Sequence, residues 1–187
     1  MDIDIDSADR QRILNLIKST PAGIHRTNQT VKHNTGVYVN PVPVDPETGL
    51  CTLDHKTAEK IGYIKLDFLN VGVYERVQDQ NHLEKLLTTE PDWERLKSKM
   101  FVSQIVHIHD HWNTMKKMPE PIDSIPRMAM FLSVIRPAKR HLIGQPWNVV
   151  AETVWQKPKD DSYFFKKSHS IAYATLVAID MNLHCGI

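Results

Sequence analysis

Tyr63-Ile64-Lys65-Leu66-Asp67-Phe68-Leu69, set off by Gly62, is the stretch on which the fold turns. It reads as a strand, and at its end the apolar residues fall on both faces. That is the pattern of a strand with neighbours on either side. Asp67 is the odd residue in it, because a lone buried carboxylate is costly unless it is paired or bound to a metal. Working outward, Asp2-Ile3-Asp4-Ile5-Asp6 alternates strictly, the period of a strand with one wet and one dry face. Same-face residues on a strand stand about 6.6–7 Å apart, so three carboxylates in a row repel one another and call for a positive charge. Hard oxygen donors favour magnesium. If the two strands are neighbours at about 4.8 Å, Asp67 joins Asp2, Asp4 and Asp6 as a fourth carboxylate and completes a two-metal site. Such a pair of ions, about 3.5–4 Å apart, clamps the attacking and leaving oxygens of an in-line phosphoryl transfer. The plainer alternative is a solvated strand edge.

Elsewhere the pattern is mixed. A helix is expected after Ser7 as N-cap, with Asp9 in its first turn and Ile13, Leu14 and Ile17 as its apolar stripe. Pro21 and Gly23 are expected to end it. Residues 24–50 read as irregular apart from a short strand at Val37–Val39, and Leu50–Leu53 reads as a further strand. From Val73 the pattern turns helical, over 74–88 and 92–101, while 102–112 is ambiguous between strand and helix. Asp123-Ser124 caps a helix running to Ile135. Trp147–Trp155 and Ser168–Leu183 are further helices, the last with Ile171, Ala174, Val177, Ala178 and Met181 on one face. The fold class is therefore α+β, a small mixed sheet in residues 1–75 followed by a mostly helical region over 76–187.

Composition agrees with a folded, soluble chain: 187 residues, 41% hydrophobic and 24% charged. The net charge of +1 excludes a uniformly basic nucleic-acid coat. It hides an asymmetry, since residues 1–94 carry 10 Lys/Arg against 15 Asp/Glu and residues 95–187 carry 13 against 7. Two cysteines, Cys51 and Cys185, are too few for a disulfide framework and fit a reducing compartment. No apolar run approaches the roughly 20 residues of a membrane span, and the acidic start argues against a signal or transit peptide. The expected location is the cytoplasm, with no membrane partner.

Three smaller features bear on chemistry. His107-Ile108-His109-Asp110-His111 would align three imidazoles on one face if it were a strand, a spacing that suits a transition metal; the alternative is a solvated or DNA-facing segment. Arg136, Lys139, Arg140 and His141 form one basic cluster, and Lys157, Lys159, Lys166 and Lys167 another. Such clusters are either solvated faces or phosphate contacts. Trp112, Trp147 and Trp155 read as core rather than as stacking platforms. His169 and Tyr173 share a helix face.

Five segments, in order, resemble the catalytic alpha subunit of bacterial DNA polymerase III, the C-family DNA polymerases. Asp2-Ile3-Asp4-Ile5-Asp6 resembles its P-D-x-D-x-D-F. Lys32-His33-Asn34-Thr35-Gly36-Val37-Tyr38-Val39 resembles K-H-A-G-G-V-V-I, with Arg26 near the family's upstream Arg. Leu53-Asp54 and Ile64–Leu69 resemble Q-F-D and V-K-F-D-F-L-G. Arg136-Pro137 resembles A-L-F-R-P-G-P, and Phe165–Ala174 resembles F-N-K-S-H-S-A-A-Y-A. The resemblance implies a polymerase-beta-like nucleotidyltransferase palm over 1–75 and a fingers-like remnant over 76–187. It implies Asp2, Asp4 and Asp67 as catalytic ligands of two Mg²⁺ ions, with Asp6 as a further candidate. Arg26, Lys32, His33, Arg136, Lys167 and His169 would meet nucleotide or phosphate. The implied function is DNA replication by nucleotidyl transfer from dNTP to a primer 3′ end. The implied partners are primer–template DNA and dNTP, with a second polymerase chain that supplies the family's missing Gly/Ser-rich loop, or a replisome protein. Family members are several times longer, which suggests a strongly truncated, phage-like version working in a host cytoplasm. Asn70 and Ala138 stand where the family has Gly. Two other readings share these residues: an inactive remnant that binds DNA or a replisome, and a two-metal nuclease or phosphodiesterase.

Overall fold

A computed structural model describes residues 2–187 apart from Asn28 and Asp161; the side chain of Asp2 also lies outside the described part. The chain divides into two compact units, Met1–Arg76 and Val77–Ile187. The first holds β1 (Asp2–Ser7), α1 (Arg10–Leu16), β2 (Thr20–Arg26), β3 (Gln29–Tyr38), α2 (His55–Lys60) and β4 (Lys65–Asn70). Its four strands form one mixed sheet in the order β1-β4-β3-β2. β1 runs parallel to β4, and β3 pairs antiparallel with both β4 and β2. β4 is thus interior, as its two-faced apolar pattern predicts.

Four sequence expectations need correction here. Ser7 is not the helix cap: it closes β1, and its hydroxyl donates to the Leu69 carbonyl at 3.3 Å. Asp9 takes the N-cap, accepting from Arg12 N at 3.1 Å. Pro21 and Gly23 lie inside β2 rather than ending a helix, which proline tolerates because β2 is a sheet edge. Much of the stretch that reads as irregular is the long β2–β3 hairpin. Its β3 arm, Gln29–Asn34, is largely polar and lacks the alternation that would mark a strand. The expected strand at Leu50–Leu53 reduces to a single bridge, Val44 to Cys51. That segment packs close to β2, because a Cβ on Gly23 would come within 2.7 Å of the Cys51 carbonyl. One buried cluster here gathers Ala22, Tyr38, Cys51 and Ala58, with Leu53 and Tyr63 packed against them, and Val37 and Phe68 are buried as well.

The second unit holds α3 (Gln80–Thr88), α4 (Lys99–Val102), α5 (Trp112–Met115), α6 (Ile125–Val134), α7 (Trp147–Thr153) and α8 (Lys167–His184). Ser124 caps α6, as its sequence predicts. The expected helices over 74–88 and 92–101 are broken by 3-10 turns at Gly72–Arg76 and Trp93–Lys97. Residues 103–111 are turns rather than a strand or helix. The core gathers around Ile105, Met128, Phe131, Leu132, Val177 and Met181. Trp147 is buried in it, and Trp112 and Trp155 pack on its edge. Where α6 meets α8, Ser133 and Ser170, both fully buried, are hydrogen-bonded through their hydroxyls at 2.6 Å.

Asn182, on α8, clamps the end of α3. Its amide donates to the Leu86 carbonyl at 3.0 Å and the Thr89 carbonyl at 2.8 Å, with the residue only 1% exposed. Asn182→Leu keeps the volume and removes both donors. It should lower stability by about 2–3 kcal/mol, read as a drop in the denaturation midpoint of the second unit.

The charge asymmetry does not follow the division into units. The first unit carries nine Lys/Arg against ten Asp/Glu, and the acidic stretch 77–94 belongs to the second. Both cysteines are free thiols. Among the described residues, no helix is long and apolar enough to cross a membrane.

Candidate active site

The parallel pairing of β1 with β4 sets Asp4 opposite Asp67, with Asp2 opposite Lys65 and Asp6 opposite Leu69. In-register residues of adjacent strands project to the same face of the sheet, so Asp4, Asp6 and Asp67 share a face. Asp4 and Asp6 are exposed, whereas Asp67 is 5% exposed. Partial burial of the Asp6 carboxyl, together with the charge of Asp4, raises its pKa. The Tyr74 phenol is raised by burial and by that same Asp6. Asp4 and Asp6 therefore set negative charge side by side along β1.

Asp67 is compensated closely. Lys65, two residues back on the same face of β4, places its ammonium 2.5 Å from Asp67 Oδ2, and Lys65 is itself 4% exposed. The Thr35 hydroxyl donates to Asp67 Oδ1 at 2.6 Å, and His33 Nδ1 lies 3.7 Å from the same oxygen. Burial alone would raise the Asp67 pKa; the hydrogen bonds from Lys65 and Thr35 and the nearby positive charge outweigh it and hold the pKa below the usual carboxylate value.

A bulge in β3 brings Thr35 and His33 to this point. Between the pairs Pro21–Val37 and Gly23–Lys32, two steps along β2 face five steps along β3. The surplus residues curl, and the curl is tied by His33 Nδ1, which accepts from Gly36 N at 2.9 Å. Bulges of this kind re-aim side chains at the expense of regular pairing. Gly36 is required there, because a Cβ would sit 2.6 Å from Lys65 Cδ and 3.0 Å from His33 Nδ1.

Asp54 fixes the unit from another side. It caps α2, accepting from Lys56 N at 3.0 Å, and also accepts from His25 N of β2 at 2.9 Å. The hydrogen bond from His25 is the main cause of its lowered pKa. The unfolded state binds a proton here at a pH where the folded state does not. The stabilisation is present above the unfolded value near 3.9 and is lost as pH falls through the lower folded value. Asp54→Asn keeps a capping side chain and should flatten the acid limb of a stability-versus-pH curve below about pH 4, while Asp54→Ala should lower stability at neutral pH by about 1 kcal/mol.

The remaining expected residues fall as follows. Arg26 stands at the last pair of the β2–β3 hairpin and Lys32 in β3, both exposed. Arg136, Lys167 and His169 belong to the second unit. There Arg136 lays its guanidinium over the Phe165 ring at 3.9 Å, and Phe165 stacks on Tyr173 with centroids 5.5 Å apart, so the Arg-Pro and Phe165–Ala174 segments meet. Lys139 is not a phosphate contact: it is buried and donates to the Thr153 carbonyl at the end of α7, at 2.8 Å. The three histidines of 107–111 do not share a strand face. His107 has φ +64° and stacks edge-on to Tyr173, His109 pairs with Asp110 at the surface, and His111 precedes α5. Among the described residues no group of three or more His, Cys, Asp or Glu is arranged to hold a metal ion. Asp2, one of the three expected ligands, lies outside the described side chains.

Sequence reasoning missed Lys65 and Thr35. The signal for Lys65 was present, since a lysine two residues before a buried aspartate on a strand shares its face. Thr35 reaches Asp67 only through the bulge, which no periodicity announces. No protein-family model, no curated protein and no solved structure matches the chain.

Proposed function

We propose that the chain is a minimal or split DNA polymerase-like enzyme, transferring a nucleotidyl group from dNTP to a primer 3′ end. The observation that carries this reading is the in-register pairing of β1 with β4, which sets Asp4 beside the buried carboxylate of β4. The all-oxygen donor set of Asp4 and Asp67, with Asp2 and Asp6 as the further candidates, suits Mg²⁺, which when bound supplies charge neutralisation for phosphoryl transfer. Lys65 and Thr35 keep Asp67 ionised and oriented at neutral pH. His33 ties the bulge. Exposed Arg26 and Lys32 are cations of this unit available to a polyphosphate.

A second reading has a specific observation in its favour. The Lys65–Asp67 pair gives Asp67 a structural role, so a palm that has lost catalysis could retain this acid. A DNA- or replisome-binding module is that alternative. Primer–template, dNTPs and Mg²⁺ separate them, with Asp67→Ala as the comparison. Extension lost in the variant supports the polymerase. Strands shortened rather than lengthened indicate nuclease chemistry, and binding without chemistry in either protein indicates the module.

A further inference from the structure

Tyr163 keeps 60% of its surface exposed although its backbone is held, its carbonyl accepting from Ala138 N at 3.2 Å. Its ring meets Phe165 edge-to-face, with centroids 5.8 Å apart and planes at 78°. Phe165 in turn stacks on Tyr173 and carries the Arg136 guanidinium. Tyr163 is thus the outward end of a supported aromatic row, not a loose side chain.

Arg136, resting on Phe165, and the exposed Lys166 and Lys167 are the cations of this stretch of chain. Arginine and lysine ion pairs of this unit engage Arg95, Lys97 and Arg127. Among the described residues none engages Arg136, Lys166 or Lys167, and Arg136 Nε is buried without a hydrogen-bond partner. A fixed, exposed aromatic ring in a row that carries the Arg136 guanidinium, followed three and four residues on by the exposed Lys166 and Lys167, matches a ligand that offers both a flat π-face and flanking phosphates. A duplex hides its base faces inside the stack, whereas a single strand presents them. An acidic protein would use the cations and leave the ring without a role.

We infer that Tyr163, with Arg136, Lys166 and Lys167, forms a contact site for a single-stranded nucleic acid, one unpaired base stacking on the phenol ring while the adjoining phosphates meet the cations. The site lies within the second unit and uses none of the carboxylates, so it does not rest on the catalytic reading.

The test is fluorescence anisotropy in EDTA with a labelled oligothymidylate, an abasic deoxyribose-phosphate strand of the same length, and heparin as competitor. The oligothymidylate should bind more tightly than the abasic strand. Tyr163→Ala should weaken oligothymidylate binding about 5- to 150-fold, the range for one stacked base, and leave abasic binding unchanged; Tyr163→Phe should bind as the wild type. The double variant Lys166→Ala, Lys167→Ala should weaken both strands and reduce the salt slope by about 0.7 for each phosphate that is no longer neutralised. Equal binding of the two strands, or an equal effect of Tyr163→Ala on both, overturns the inference; so does a heparin complex that responds to Tyr163→Ala as the oligothymidylate complex does. Because the assay is run in EDTA and reads binding alone, a failure of catalysis and a failure of strand binding stay distinguishable.

Discussion

Replacing Lys65 with methionine should destabilise the first unit by about 3–5 kcal/mol in the absence of divalent metal, the cost of stranding one member of a buried ion pair. Lys65 and Asp67 are both nearly inaccessible, 4% and 5% exposed, and their charged groups lie 2.5 Å apart. Methionine keeps most of the packing and deletes the charge. Asp67 then keeps the Thr35 hydroxyl but loses its ammonium. If Asp67 is a metal ligand, Mg²⁺ or Mn²⁺ should recover much of this loss, because ligand binding to the folded state alone stabilises by mass action. The thermal midpoint of Lys65→Met should therefore rise with metal far more than that of the wild type. A variant as destabilised with metal as without it makes Lys65–Asp67 a purely structural pair. The double replacement Lys65→Met, Asp67→Leu removes both charges and should regain stability without metal.

Asp67→Ala should abolish primer extension. A metal-held transition state owes several kcal/mol to the ion, and each 1.36 kcal/mol is tenfold in rate, so the loss should be on the order of 10³-fold or more. Asp67→Asn keeps the shape and the hydrogen-bonding capacity towards Thr35, yet removes the charge. It should be nearly as inactive, which separates a ligand role from a packing role. Denaturation midpoints of both variants, measured alongside, guard against reading an unfolded protein as an inactive one.

Both effects turn on residues of different legibility. The alternation of residues 2–6 and the apolar stretch around Asp67 are short-range patterns with a fixed period, and they marked both strands and the interior position of β4. The cap of α6 and the span of α8 followed from the same kind of local signal. The β2–β3 hairpin was hidden because its polar β3 arm has no dry face to set a period, and because Pro21 and Gly23 read as helix breakers rather than as edge-strand residues. The bulge at 33–36 was hidden for a further reason: its shape is fixed by His33 accepting from Gly36 N and by the close approach of Lys65, contacts that exist only once β3 lies against β4. Acid pairing at Asp67 was half legible. The need for a cation there followed from burial, and the structure shows a lysine in that position. Lys139 shows the converse error, a charge counted with a surface cluster that instead closes the end of α7.

The claim at the centre is that Asp4 and Asp67, neighbours across β1 and β4, hold divalent metal together. Calorimetric titration with Mn²⁺ or Mg²⁺ of the wild type, Asp4→Ala and Asp67→Ala tests it most directly. Saturable binding in the wild type that weakens strongly in both single variants is the predicted result. Binding unchanged in both variants, or no saturable binding in the wild type and in Lys65→Met alike, would contradict it.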